Sequence, residues 1–165
     1  IVEELNNGDI IFNNLNFSFN DRDYILKNIN LNIKKNSKVM IVGESGSGKS
    51  TLLKLLMKYY KVENNRIMIN NIDINNYSKK TINNNILYLS QNEILFNDTL
   101  YNNLIFDNSD SSNLLDVSKM CYVNEIMDNN LGFNMLIEEN GFNLSGGEKQ
   151  RIVIIRALLN NVDEP

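Results

Sequence analysis

The stretch that most constrains this chain is residues 43–50, GESGSGKS, which fits Gly-x-x-x-x-Gly-Lys-Ser. Glycines at these places let backbone amides fold inward around an anion that any Cβ would obstruct, so the loop is expected to cradle phosphate oxygens. The residues on either side agree. Residues 38–42, KVMIV, form a short apolar run that predicts a buried parallel strand. From Lys49 onward, Leu52, Leu53, Leu55, Leu56 and Tyr59 recur at helical spacing, which aims a helix start at the same anion. A helix dipole contributes only about 0.3–1 kcal/mol to an exposed charge. Lys49 is therefore expected to bring a full positive charge to the terminal phosphates, and the Ser50 hydroxyl a ligand for Mg²⁺. A flexible Gly/Ser linker shares the composition but not the bracketing strand and Leu-rich helix.

With 165 residues, 42% of them hydrophobic, the chain is long enough for one domain with a sizeable core. A net charge of −4 without any basic run gives no footprint for duplex DNA or RNA, so no nucleic-acid partner is expected. The single cysteine, Cys121, reads as a small buried hydrophobe and fits a reducing compartment. No apolar run reaches the ~18–20 residues of a membrane helix, and no signal peptide opens the sequence, so this piece is expected to be soluble.

Asparagine is abundant and disguises strands as loops, because it is a turn former. Alternation still reads through it. Ile29, Leu31 and Ile33 point one way while Asn28, Asn30, Asn32 and Lys34 point the other, predicting a half-buried antiparallel strand that pairs with residues 8–19. Asn36 stands where the chain must turn sharply, and Asn tolerates a left-handed backbone better than most residues with a Cβ. Residues 67–74, IMINNIDI, alternate as one arm of a hairpin would.

Residues 86–91, ILYLSQ, predict a second parallel strand whose terminal Gln91 emerges at the edge that carries the phosphate loop, where an amide can reach Mg²⁺ or a water. Residues 93–106 mix apolar and amide side chains. Leu114, Val117, Met120, Cys121, Val123 and Ile126 then follow helical spacing, so a helical subdomain is expected at about 92–143. Residues 144–151, LSGGEKQR, open an amphipathic helix marked by Ile152, Ile155, Leu158 and Leu159. Ser145, Gly146 and Gly147 at its start offer a hydroxyl and unobstructed amides, a second anion site complementary in kind to the first, with an ordinary N-cap as the alternative.

Taken together, GESGSGKS, Gln91 and LSGGEKQR, in this order, closely resemble the Walker A loop, Q-loop and signature motif of the nucleotide-binding domain of ABC transporters. The resemblance covers nearly the whole chain. It implies an α/β fold: a P-loop NTPase core with a parallel sheet, an N-terminal antiparallel β layer and a helical subdomain. Phe19 resembles the aromatic residue that stacks on adenine, with Tyr24 close enough to compete. Glu139 in IEENGFN resembles the X-loop glutamate of exporters, and the overall style is similar to bacterial peptide or bacteriocin exporters.

The resemblance further implies ATP and Mg²⁺ as cofactors, with nucleotide held by Phe19, Gly43, Glu44, Ser45, Gly46, Ser47, Gly48, Lys49, Ser50 and Thr51, and covered by Ser145, Gly146 and Gly147. Lys49, Gln91 and Glu164 would carry hydrolysis, and Ser50, Gln91 and Asp163 would meet the metal. Partners implied are a second nucleotide-binding domain, paired head to tail as a homodimer, and a transmembrane domain on the same or a partner chain. That places the domain at the cytoplasmic face of the membrane. The departure lies in NNVDEP, where only Val162 separates Asn161 from Asp163 and an apolar strand is expected instead. This predicts a truncated or incomplete domain, with VDEP matching either Walker B or the D-loop. The chain has no histidine, so the family's switch histidine has no counterpart. A soluble ABC ATPase acting on DNA or ribosomes, and an ATP-binding module that does not hydrolyse, share the same loops and stand as alternatives.

Overall fold

The computed structural model describes residues 2–20, 23–89, 94–105, 112–127 and 131–160. It divides into two compact units, Ile1–Tyr88 and Leu89–Pro165.

The first unit is built on an antiparallel sheet in the order β2-β1-β3-β4. Its strands are β1 (Ile10–Phe17), β2 (Leu26–Ile33), β3 (Ile67–Ile69) and β4 (Ile72–Asp73). The expected pairing of the first two strands is present, with Phe12 opposite Leu31 and Leu15 opposite Ile29. Strict alternation would put Leu15 on the face away from Phe12, yet both are buried. A register shift between them, at Asn14 with φ 42°, restores the phase. Asparagine amides accept the backbone N–H groups that this irregularity frees, Asn14 N–H on Asn30 Oδ1 at 2.9 Å and Asn28 N–H on Asn16 Oδ1 at 2.8 Å.

The β3–β4 hairpin turns through Asn70 and Asn71, both at positive φ, as a two-residue turn of the I′ type requires. The same residue type recurs at most of the left-handed positions without glycine among the described residues: Asn14, Asn28, Asn36, Asn65, Asn70, Asn71 and Asn140 lie between 42° and 62°. The expectation for Asn36 is met, at φ 60°. Asparagine thus occupies backbone positions that favour glycine.

α1 (Lys49–Leu56) buries Leu52, Leu55 and Leu56, each side chain contributing about 1.5–3 kcal/mol of transfer free energy, into a core shared with Phe12, Leu15, Ile67 and Tyr77. It is shorter than the spacing predicted. Lys58 turns left-handed at φ 54°, its N–H on Leu55 O at 3.0 Å and that of Tyr59 on Lys54 O at 2.9 Å, which closes the helix with Tyr59 exposed. The Lys58 ammonium donates to the carbonyls of Ile74 and Tyr77; burial pushes its pKa down, and the Asp73 carboxylate opposes that shift. α2 (Lys79–Asn85), capped by the Ser78 hydroxyl accepting Thr81 N–H at 2.9 Å, was hidden in sequence by its run of asparagines.

One part of the expected architecture, the parallel ladder, is not seen among the described residues. Residues 38–42 and 86–89, read as parallel strands, run without ladder partners among the described residues. A strand exists only where a neighbour takes its N–H and C=O groups, and here Met40 is 85% and Val42 78% exposed. The remainder of the expected second strand, including Gln91, lies outside the described residues.

The second unit combines a two-stranded ladder, β5 (Asp98–Thr99) with β6 (Leu136–Ile137), and the helices α3 (Leu100–Leu104), α4 (Leu114–Met120) and α5 (Gly146–Asn160). Its core joins Leu95, Leu100, Leu104, Val123 and Ile137 to Ile152, Val153, Ile155 and Leu159 of α5. The helical spacing read through residues 114–126 is interrupted: Tyr122 adopts φ 56°, and a 3₁₀ turn at Val123–Glu125 brings Val123 and Ile126 into the core while Met120 stays exposed. Cys121 packs against this core, and burial raises its thiol pKa. Among the described residues no helix is long and apolar enough to cross a membrane.

Candidate functional site

The loop at residues 43–50 is closed on itself by a lysine. Lys49 Nζ donates to Gly43 O at 2.8 Å, to Glu44 O at 2.7 Å and to Ser47 Oγ at 3.3 Å, and Ser47 N–H closes a turn on Glu44 O at 3.3 Å. Ser45, Gly46 and Ser47 form the exposed crown, and Ser50 and Thr51 stand in the first turn of α1. Gly48, the residue before that helix, sits at φ 92°, and a Cβ there would come within 2.8 Å of Leu26 Cδ2 and 3.3 Å of Ile25 O. The turn into α1 can therefore lie close against β2 only with glycine at this place. Gly46, at φ 81°, meets nothing within 4 Å. An ammonium at the mouth of an exposed glycine loop, with a hydroxyl one residue on, is a donor set that fits a phosphate chain and its cation.

Phe19 is exposed but not isolated. Its ring lies edge-on to Phe17 and to Tyr60, with centroids 5.1 Å away in each case, while Tyr24 is exposed with no ring contact among the described residues. Tyr60 was not singled out from sequence; its position just past the helix end concealed its packing against β1. Two edge contacts hold the Phe19 ring upright.

At the second motif, Ser145 precedes α5 and forms a reciprocal cap. Its N–H donates to Glu148 Oε2 at 2.7 Å, and the Glu148 N–H returns to Ser145 Oγ at 3.3 Å. These contacts with Ser145, reinforced by the charge of Arg151, hold the Glu148 carboxyl below its usual pKa. Glu148 is a residue that sequence reading passed over, although Ser-x-x-Glu is itself a signal for such a cap. Cβ atoms added to Gly146 or Gly147 would meet nothing within 4 Å, so this chain's own packing does not demand glycine at either place. Arg151, one turn on, holds Tyr122 O at 3.2 Å and Glu125 Oε2 at 2.8 Å.

The loop and the capped helix start lie in separate units, Ile1–Tyr88 and Leu89–Pro165. Gln91, Asp163 and Glu164 lie outside the described residues. Among the described residues no three His, Cys, Asp or Glu side chains gather as a metal-binding group.

A Gly-x-x-x-x-Gly-Lys-Ser loop with its lysine at the head of a helix marks the phosphate-loop nucleotide-binding class. More narrowly, the chain belongs to the ABC transporter family, which it matches over residues 26–163. It is 42% identical over 164 residues to a Rickettsia typhi protein named for export ATP-binding and permease roles, covering 94% of this chain and 28% of that protein. The ATP-dependent lipid A-core flippase of Escherichia coli K12 is 38% identical over 167 residues, covering 97% and 28%. Among solved structures, a bacterial Atm1-family ABC exporter with ATP bound superposes with a TM-score of 0.83 at 31% identity, covering 95% of this chain and 28% of that one. The chain thus has the ABC ATPase fold and spans a little over a quarter of the length of these relatives.

Proposed function

We propose that this chain is the ATP-binding and hydrolysing part of an ABC exporter. The observation that carries the reading is the pairing of two motifs with complementary needs. Lys49 and the glycine loop supply positive charge and open amides, whereas Gly146 and Gly147 are bare of side chains although no neighbour among the described residues requires it. A helix start kept clear in this way suits the approach of something outside the chain, and a nucleotide held by a second copy meets that description. Each ATP would lie between Lys49 of one copy and Ser145, Gly146 and Gly147 of the other, with Phe19 beneath the adenine and Ser50, Gln91 and Asp163 around Mg²⁺.

Bound Mg²⁺ would neutralise charge on the phosphates as the terminal bond breaks. Lys49 would hold the terminal phosphates in line, Ser145 would donate its hydroxyl proton to a phosphate oxygen, and Glu164 would orient the attacking water. Closing and reopening of the pair would drive cargo through transmembrane segments on the same or a partner polypeptide, with this part at the cytoplasmic face. The export roles in the relatives' names support this direction, and the cargo would be chosen by those segments.

Composite sites have a testable arithmetic. In the full-length polypeptide, Lys49→Ala disables both sites of a pair, and so does Ser145→Arg. A mixed pair carrying one lesion on each copy collects both at one site and leaves the other intact. Nucleotide trapping by the mixture, where neither variant alone traps, is the expected result; a mixture as inactive as its components would overturn the reading.

A further inference from the structure

The second unit holds a polar device that the nucleotide reading does not use. Asn103, on α3, has no exposed surface, yet both ends of its amide are occupied. Its Oδ1 accepts Phe96 N–H at 2.9 Å and Arg156 Nη2 at 3.3 Å, and its Nδ2 donates to Phe96 O at 2.9 Å and Thr99 O at 3.1 Å. Arg156, nearly three turns along α5 from the signature glycines, adds Nε to Asn103 O at 2.8 Å and Nη1 to Ile94 O at 3.0 Å, with its guanidinium 5.8 Å from the Phe96 ring centre. Residues 94–99, which follow Gln91 in the chain, are therefore wrapped around one buried amide and gripped from α5.

A second tie runs to the other side of the same motif. Thr99 pairs with Leu136 in the β5–β6 ladder, Asn140 N–H donates to Leu95 O at 3.0 Å, and the segment leading to Ser145 is closed by Asn143, whose side chain bonds Glu138 N–H and Leu136 O at 3.0 and 2.9 Å. Residues 94–99 are thus joined to the chain before Ser145 and to the helix after it. Asn103 is the buried centre of this network with both ends of its amide bonded, and such a centre is stiff, because moving the exposed Phe96 or the half-buried Arg156 away strands that amide from a partner. A guanidinium bonded through three nitrogens fixes direction as well as distance, which an ammonium cannot do.

We propose that Asn103, held by Arg156, is a positioning residue that makes residues 94–99 and the start of α5 a single rigid piece, so that contact between Ser145 and nucleotide is passed to the stretch following Gln91. This rests on the ATP reading above. The clamp touches neither nucleotide nor metal, so it acts on what binding accomplishes rather than on whether binding occurs.

Hydrogen exchange on the full-length polypeptide, with and without ATP and Mg²⁺, separates the two levels. In the parent protein, ATP should slow exchange at residues 46–49, 145–148 and 94–99. Arg156→Lys, which keeps the charge, and Asn103→Asp, which keeps the shape, should each lose the protection at 94–99 by on the order of tenfold while protection at 46–49 stays within about twofold. In turnover, KM for ATP should hold while kcat falls. Protection at 94–99 that survives both substitutions would overturn the proposal, as would a uniform loss across the second unit, which marks a merely structural role. A parent protein in which ATP slows nothing at 46–49 would fail the ATP reading itself, and the clamp with it.

Discussion

Ser145 and Glu148 exchange hydrogen bonds across the first turn of α5, at 2.7 and 3.3 Å, so the residue that would meet nucleotide is held by a carboxylate three places further on. The carboxyl is stabilised in its charged form, with a folded pKa below the ordinary 4.5. A depressed pKa adds stability that is present above the unfolded value and is lost as pH falls through the folded one. Glu148→Gln should lose that contribution, so the variant melts below the parent near pH 7 and converges with it as pH falls through the folded pKa, which flattens the acid limb; thermal unfolding followed by circular dichroism reads both ends. An identical acid limb in the variant would count against the cap.

Lys49→Ala should abolish tight ATP binding, because its ammonium is the cation that bridges the loop carbonyls of Gly43 and Glu44. Those carbonyls are exposed and can turn to water, so the cost to folding should stay within about 0.5 kcal/mol. Calorimetric titration of the variant with ATP at unchanged melting temperature tests both halves, and unaltered affinity would refute the assignment.

Two glycines of the same loop should respond differently to alanine. At Gly46 the substitution meets only the cost of a left-handed backbone, about 1–2 kcal/mol. At Gly48 it adds a methyl 2.8 Å from Leu26 and 3.3 Å from the Ile25 carbonyl, overpacking worth roughly 1–3 kcal/mol more. Denaturant midpoints should rank parent above Gly46→Ala above Gly48→Ala.

The Asn70-Asn71 turn makes a similar contrast. Valine at position 70, which would have to adopt φ 49°, should cost about 1–2 kcal/mol. Asn70→Gly should be near neutral, relief at the turn being offset by greater freedom of the unfolded chain. Equal destabilisation by both in chemical denaturation would contradict the left-handed assignment.

Legibility in the sequence followed how local the cause was. The glycine loop and the start of the helix after it depend on residues within a turn or two of one another and could be read directly; the cap at Ser145 is as local, but reading it needed Glu148 as well. Phase in β1 could not, because the shift between Phe12 and Leu15 is created by amides on β2. Tyr122 ended a helical pattern through its own backbone angle, which its neighbours do not announce. Residues 38–42 and 86–89 are apolar as expected, but a ladder needs a second strand, and neither segment has one among the described residues. Asn103 and Arg156 are 53 residues apart, and their bond exists only once α3 and α5 have packed.

The exposed run at residues 38–42 also bears on handling. An apolar segment with Met40 and Val42 open to solvent and no ladder partner among the described residues is a template for another chain, and identical copies are the nearest supply. At high protein concentration this piece should tend to clump edge to edge, with Lys38 alone at the near end to repel a newcomer. Solubility, before any chemistry, would then set how concentrated a sample can be.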